Sequence, residues 1–525
     1  GFFIALAVVT LFFSGTRGAI LGLIGGTALS VVLFIMRSGS KRLLMYMAGG
    51  VLAFIALGAF VGSQKDSAWV RSIDPLHRLA HMSLTERTIT SRFMNIGMAI
   101  EGFKERPILG WGQENYALVF DKYYNPEMYA QEPWFDRVHN VIFDWLVAGG
   151  IIGLLTYLSL YATALWALWR GSVFSRADQS ILTGLLGGYF FYLLFTFDNV
   201  MSYIMFIAVI AFIATRTSEK EESVTTKALV PFNAAPLVAI ASIVVVSVSA
   251  WGANASAYAA NRTLIQGLSP QQGGITVNLE KFKEALAYNS FGTQEVREHL
   301  SQTAAQIGGM AEAPAETKKA FYDLAISEMQ KQSDEVPGSS RFPFFLGILK
   351  DTFGDHEGAR VALQKAHENS PGKQAITFQL AMNALARGNS AEAATLLEAA
   401  YLSAPEYQEA AILYSLALIS SGEISKAEPI GAKISDGTHT PDQRLLAAYV
   451  AQGRYDIVAS IMSRYVAKHP DDAKARVTEA AALYAAGDKD AAIRSLEETQ
   501  KAIPQSASAA AALIQQVKDG TWNVK

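Results

Sequence analysis

No cysteine occurs among the 525 residues, which removes disulfides, thiolate catalysis and Cys-ligated zinc. A cysteine-free chain fits either side of a membrane, so compartment has to be read from topology. A surplus of one sign of charge is lacking as well. The net charge is only -3, and no basic block interleaved with aromatics appears, so nothing in the chain is suited to reading DNA or RNA. The opening residues, GFFIALAVVTLFF, have neither an initiator methionine nor a basic stretch before the apolar run, the marks of a signal peptide. They are expected to be a span cut partway, with further membrane helices upstream. Beyond about residue 256 no apolar run is long enough to cross a bilayer.

What the chain does contain falls into two parts with different solvents. Apolar residues make up 51% of it, and the long apolar runs are confined to the first half, as in a membrane protein. At about 20 apolar residues per crossing, spans are expected near residues 1 to 13, 18 to 36, 43 to 62, 140 to 168, 179 to 197, 199 to 214 and 232 to 252. Helices are the form that satisfies backbone groups in lipid. Gly18, Gly22 and Gly26 fall four apart on the second span and read as a small-residue packing face.

Orientation follows from the short loops. Arg37, Lys41 and Arg42 crowd one connection, Arg170 and Arg176 the next, and Arg216, Lys220 and Lys227 a third, diluted by Glu219, Glu221 and Glu222. Lys and Arg favour the cytoplasmic side, and acidic residues count little. All three loops agree. The SGTRG turn (residues 14–18), the long loop at 63–139, the Asp198-Asn199 turn and the whole C-terminal half then lie outside the cytoplasm. Arg17, Arg92 and His139 share that face.

The second half repeats. Gly354, Gly388 and Gly422 are 34 apart, as are Ala359, Ala393 and Ala427, and Pro371 and Pro405. The register slips once, after which Gly453 and Gly487, and Pro470 and Pro504, restore it. A period of 34 resembles that of tetratricopeptide repeats: Gly ends the first helix of each pair, Ala lets the two helices cross closely, and Pro stops the second. The expected organisation is a membrane domain at 1–256, degenerate helical repeats or connector at 257–340, repeats at 341–504, and a terminal helix and tail at 505–525. The fold class is all-α, a polytopic transmembrane bundle followed by an α-solenoid. Such an array presents a protein-binding surface, with catalysis placed elsewhere.

The loop at 63–139 is longer than a connector requires. It carries Phe93, Ile96, Ile100 and Phe103 at helical spacing, a stripe that packs or lies on the interface, then a Pro and a Gly-Trp-Gly turn. Arginine forks suit phosphate oxygens bidentately, so Arg17 and Arg92 are candidates for an anion site or for interfacial anchors. A histidine near neutrality takes a proton from a hydroxyl, which makes His139 either a base or an interfacial residue. Asn140 is a candidate helix cap, and Asp144 and Asp198 are acids at the outer ends of spans that orient a base or pack between helices. His77 and His81 have the i, i+4 spacing of metal ligands but no adjoining Glu and no third ligand, so no metal site is assigned and a surface helix is expected. Asn254 and Asn261 head N-x-Ser/Thr triplets, which carry little weight by themselves.

The order SGTRG, then SRFMNIGMAIEGFKERPILGWG, then HNVIFDWLVAGGIIG is similar to that of the O-antigen ligase and polymerase superfamily. The similarity covers about residues 11 to 157. It implies a metal-independent, cofactor-free glycosyltransferase on the outer face of the cytoplasmic membrane, with an undecaprenyl-diphosphate-linked glycan as donor. It further implies that Arg17 and Arg92 hold the diphosphate and that His139 is the base. Three acceptors compete: a lipid A core sugar, another lipid-linked glycan, or a protein hydroxyl, to which the repeats add weight. From another class stands a non-catalytic anchor whose repeats organise envelope assembly. A transporter is disfavoured, because the span centres lack charge.

Overall fold

The computed structural model describes residues 1–81, 86–170, 173–218 and 235–524. These are all-helical and divide into two compact units, Gly1–Ala255 and Ser256–Lys525. Lys220 and Lys227, with Glu219, Glu221 and Glu222, lie outside the described residues.

In the first unit, α1 (Phe2–Phe13), α2 (Arg17–Ser38) and α3 (Lys41–Ser63) are followed by α4 (Ala68–Arg71), α5 (Asp74–Ala80), α6 (Arg87–Glu105) and α7 (Tyr116–Lys122). Then come α8 (Val141–Arg170), α9 (Arg176–Leu193), α10 (Val200–Ser218) and α11 (Ala235–Leu268). Among the described residues five helices are long and apolar enough to cross a membrane: α2, α3, α8, α10 and α11. The last runs past the expected span at 232 to 252 and carries Asn254 and Asn261 within the helix.

Glycine makes the tightest contact. Helix α2 packs against α9, and a Cβ added to Gly26 would lie 2.5 Å from the Gly184 carbonyl oxygen, one added to Gly22 2.8 Å from that of Gly188. The two backbones approach closely because both faces lack side chains there. At one end of these helices the Arg176 guanidinium donates to the Arg37 carbonyl at 3.0 Å, and Arg37 and Arg170 sit over the rings of Trp169 and Trp166. The basic residues of two loops therefore collect at one end. Arg17 and the start of α8 are at the other.

The second unit runs from α12 (Ile275–Ala287), α13 (Thr293–Gly309) and α14 (Ala315–Glu335) into regular pairs: Arg341–Thr352 with His356–Asn369, Gln374–Ala386 with Ser390–Ser403, and Gln408–Ser420 with Ile424–Ile434. Gln443–Ala451 with Tyr455–Lys468 and Ala473–Ala485 with Lys489–Ala502 follow, before a last helix at Ala507–Asp519. The period has a direct physical cause. Gly354, Gly388, Gly422, Gly453 and Gly487 all have φ between 70° and 93°. After each, the next amide donates to the carbonyl five residues earlier, as Asn389 does to Ala384 at 2.8 Å and Glu423 to Leu418 at 2.8 Å, the closure that ends a helix at a left-handed residue. Ala359, Ala393 and Ala427 are fully buried where paired helices cross. The register slips because Ile424–Ile434 has 11 residues where Ser390–Ser403 has 14.

Candidate functional site

Helix α6 is amphipathic, and of the two alternatives for its apolar stripe, packing or lying on an interface, Phe93 and Ile100 fit the second. Ser91, Asn95, Met98, Ala99 and Gly102 are buried, whereas Phe93 is 66% exposed and Ile100 is also exposed. Close approach explains the choice. A Cβ on Gly102 would lie 2.4 Å from Val119 Cγ1, and the buried Tyr116 hydroxyl donates to Asn95 Oδ1 at 2.8 Å. Mostly small and polar residues face the core of this segment together with Met98, and Phe93 and Ile100 are left outside.

After α6, the turn Pro107–Gly112 joins α8 where that helix is broken. Gly150 has φ 62° and ψ -160°, which interrupts the i to i-4 ladder and would orphan two carbonyls and two amides. The turn satisfies all four. Trp111 and Gly112 donate to the carbonyls of Val147 (2.7 Å) and Ala148 (3.0 Å), while the amides of Ile151 and Ile152 donate to Pro107 (2.8 Å) and Ile108 (3.4 Å). Non-helical backbone beside a membrane helix persists where such partners exist. Neither glycine of the joint has room for a side chain: a Cβ on Gly110 would be 2.3 Å from the Val147 oxygen, one on Gly150 2.2 Å from the Ile108 oxygen.

The entry to α8 is held by side chains of its own first turn. His139 has φ 61°, a left-handed conformation uncommon for any residue with a Cβ. Two side chains hold it. Asp144 accepts from the Val138 amide at 2.7 Å, and Asn140 accepts from the amides of Ile142 (3.1 Å) and Phe143 (3.4 Å) while donating to the Leu194 carbonyl at 3.0 Å. Asn140 is thus a cap that also ties α8 to the end of α9. The imidazole lies edge-on between Phe135 (centroids 5.6 Å apart) and Phe197 (5.1 Å). Arg137 pairs with Glu114, itself at φ 63°.

Asp144 acts on His139 through the backbone. Asp198 is buried and engages the hydroxyls of Tyr157 (3.1 Å), Tyr189 and Ser202 (3.4 Å); it is a polar tie among spans rather than a partner of His139. Asp144 and Asp198 line one small cleft with Arg137 and Tyr203. The rings of His77 and His81 are tilted at 42° to one another with centroids 4.2 Å apart. His81 Nδ1 lies 3.0 Å from the His77 oxygen and Nε2 3.2 Å from Asp66 Oδ1, so both its ring nitrogens are engaged.

The arginines differ in state. Arg17, at the start of α2, makes a two-pronged pair with Glu86, both N–O distances 2.7 Å. Arg92 is half-buried and has no hydrogen-bond or ion-pair partner among the described residues. Burial and the nearby Arg17 charge push its pKa down, opposed by Glu86, yet a guanidinium stays charged through such shifts. Burial and then the charge of Arg92 likewise lower the pKa of His139, against the pull of Glu132 and Asp136. The hydrogen bonds from Arg17 hold the Glu86 carboxyl below the ordinary range. Arg17, Glu86, Arg92 and His139 thus share one electrostatic neighbourhood, containing an imidazole whose charged form is disfavoured and a cation without a partner among the described residues.

Residues 2–158 match the family described as O-antigen ligase, and residues 378–435 and 449–517 match tetratricopeptide repeats. The chain joins an O-antigen ligase domain to tetratricopeptide repeats. No curated protein matches it. Solved structures similar to it include a tetratricopeptide repeat protein from Parabacteroides merdae, 17% identical over 43% of this chain and 94% of that one with a TM-score of 0.28. Yeast Tom70 is 14% identical over 82% of this chain and 96% of that one, with a TM-score of 0.25.

The ligase domain holds Arg17, Arg92, His139, Asn140 and Asp144, and Asp198 lies past the matched residues. The protein is a membrane enzyme of the glycosyltransferase-like ligase type, with glycan substrates and repeats suited to protein contacts. Three parts of the ligase domain escape sequence reading: Glu86, the Glu114–Arg137 pair, and the joint of Gly110 with Gly150. The last had a signal, since two glycine clusters, GWG and AGG, stand in a loop and a span that otherwise favour side chains.

Proposed function

We propose that this ligase transfers a glycan from an undecaprenyl-diphosphate carrier to an acceptor hydroxyl on the outer face of the cytoplasmic membrane. The observation that carries the reading is the half-buried Arg92, which has no hydrogen-bond or ion-pair partner among the described residues and lies in the electrostatic neighbourhood of Arg17 and His139. The acceptor oxygen attacks the anomeric carbon and its proton passes to the imidazole of His139. The bond from that carbon to the diphosphate oxygen breaks, and the lipid diphosphate leaves with the electron pair. Arg17 and Arg92 stabilise the charge that develops there. No cofactor enters this scheme.

Collection of Arg37, Arg170 and Arg176 at the far end of the helices supports placing the site outside the cytoplasm. The repeats favour a protein as acceptor or partner over a lipid A core sugar or a second lipid-linked glycan, because helix-pair arrays present protein-binding surfaces. A non-catalytic scaffold is the opposing account, and it gives the Arg92 and His139 substitutions no effect on transfer.

Two measurements test the roles. Arg92→Ala is expected to weaken donor use by about 10- to 100-fold in kcat/KM, the scale of a lost charged hydrogen bond. Arg92→Lys, a point charge without the fork, recovers part of that loss. The pH profile follows from His139. With its pKa below the ordinary value of about 6.5, the base is already free at neutrality. The rate is expected to be flat above about pH 6.5 and to fall as pH drops through the lowered pKa. A rate that climbs steadily from pH 7 to 9 contradicts this role.

A further inference from the structure

A third arginine stands at the same corner. Arg78, in the last turn of α5, belongs to the HRLAH segment, which the ligase reading leaves unused. Its guanidinium lies against the turn that precedes α2: a Cβ added to Gly15, at φ 65°, would meet Arg78 Nη1 at 3.0 Å. Helix α5 packs on α1 and α2, which places this side chain beside the start of α2. Its charge also reaches Glu86. Arg78 is exposed and, like Arg92, has no hydrogen-bond or ion-pair partner among the described residues.

Charge balance gives the cluster a meaning. Arg17, Arg78 and Arg92 surround one carboxylate, Glu86, and leave a surplus of two positive charges. A diphosphate esterified at both ends carries two negative charges. We infer that Arg78 is a third ligand of the donor diphosphate, and that Glu86 is the resident anion which the diphosphate displaces from Arg17. The two-pronged Arg17–Glu86 pair has the fork geometry that a phosphate takes on arginine, so Glu86 stands in for a phosphate while the site is empty. The exchange replaces one anion on Arg17 by another and draws Arg78 and Arg92 onto the free oxygens. It keeps Arg17 compensated at each stage, since an uncompensated buried cation is costly.

This inference rests on the donor assignment above, and the experiment separates the two. The probe is undecaprenyl diphosphate without a glycan, titrated onto the protein in lipid nanodiscs and followed by donor KM and kcat. Arg78→Ala is expected to weaken probe binding and raise KM by about tenfold or more with kcat changed little, and Arg78→Lys to recover part of the loss. Glu86→Gln is expected to tighten probe binding, because the competing anion is gone. Weaker binding in Glu86→Gln overturns the exchange. Parental binding in Arg78→Ala, with loss in Arg17→Ala and Arg92→Ala, rejects the role of Arg78 alone. Parental binding in all three rejects the donor assignment itself.

Discussion

His139→Asn is expected to lower glycan transfer by about two to four orders of magnitude, the usual contribution of a positioned general base, while the protein folds and still binds donor. Asparagine is the informative replacement. The residue sits at φ 61°, and Asn tolerates the left-handed region better than most residues, so the turn survives and only the imidazole is lost. His139→Ala removes the base and strains the turn together, and is expected to cost as much activity with some stability. Transfer by His139→Asn within a few fold of the parent, measured as product per unit time at saturating donor, would remove His139 from the mechanism. Asp144 offers a contrast, because its hydrogen bond is to the Val138 amide. Asp144→Asn is expected to slow transfer less, through a misplaced ring, and to leave donor KM nearly unchanged.

The largest structural effect is expected at Gly150. Any side chain there meets the Ile108 carbonyl oxygen at 2.2 Å, and the combination of φ 62° with ψ -160° is open essentially to glycine alone. Gly150→Ala therefore has to separate the Pro107–Gly112 turn from α8, losing up to four backbone hydrogen bonds beside a membrane helix where water does not replace them. A loss of roughly 3 kcal/mol or more is expected. It shows as a lower thermal unfolding midpoint in detergent, with loss of transfer even in whatever fraction stays folded. The coupling has a reason: α6 carries Arg92 and α8 begins beside His139, so the joint sets the spacing between cation and base. An unchanged midpoint in Gly150→Ala is incompatible with this account of the kink.

The sequence showed the features whose physical causes are periodic or local. The glycine, alanine and proline spacings announced the helix pairs, because each letter does one job per repeat. The small-residue face of the second span found its partner in the glycines of α9. Arg17, Arg92 and His139 were placed on one face by counting charges in loops, and the structure brings them into one electrostatic neighbourhood. Other features depend on contacts between distant segments. Glu86 lies 69 residues from the arginine it pairs with, and no period or spacing links them. The buried side of α6 depends on such contacts too, because close packing against Val119 selects Ala99 and Gly102 and leaves Phe93 and Ile100 outside. For Asp198 the sequence leaves open whether it orients a base or packs between helices, and its hydrogen bonds to the tyrosines of α8 and α9 and to Ser202 are those of polar packing.

The most direct test follows the carrier rather than the acceptor. The purified protein in lipid nanodiscs is incubated with an undecaprenyl-diphosphate-linked glycan and, in parallel, with a lipid A core acceptor, a second lipid-linked glycan and a protein acceptor, and the free undecaprenyl diphosphate is quantified. The account predicts release in step with glycosylated product for at least one acceptor, and a fall of both by about 10- to 100-fold in Arg92→Ala and by about two to four orders of magnitude in His139→Asn. Donor left intact with all three acceptors, or equal release from the parent and both variants, would contradict it.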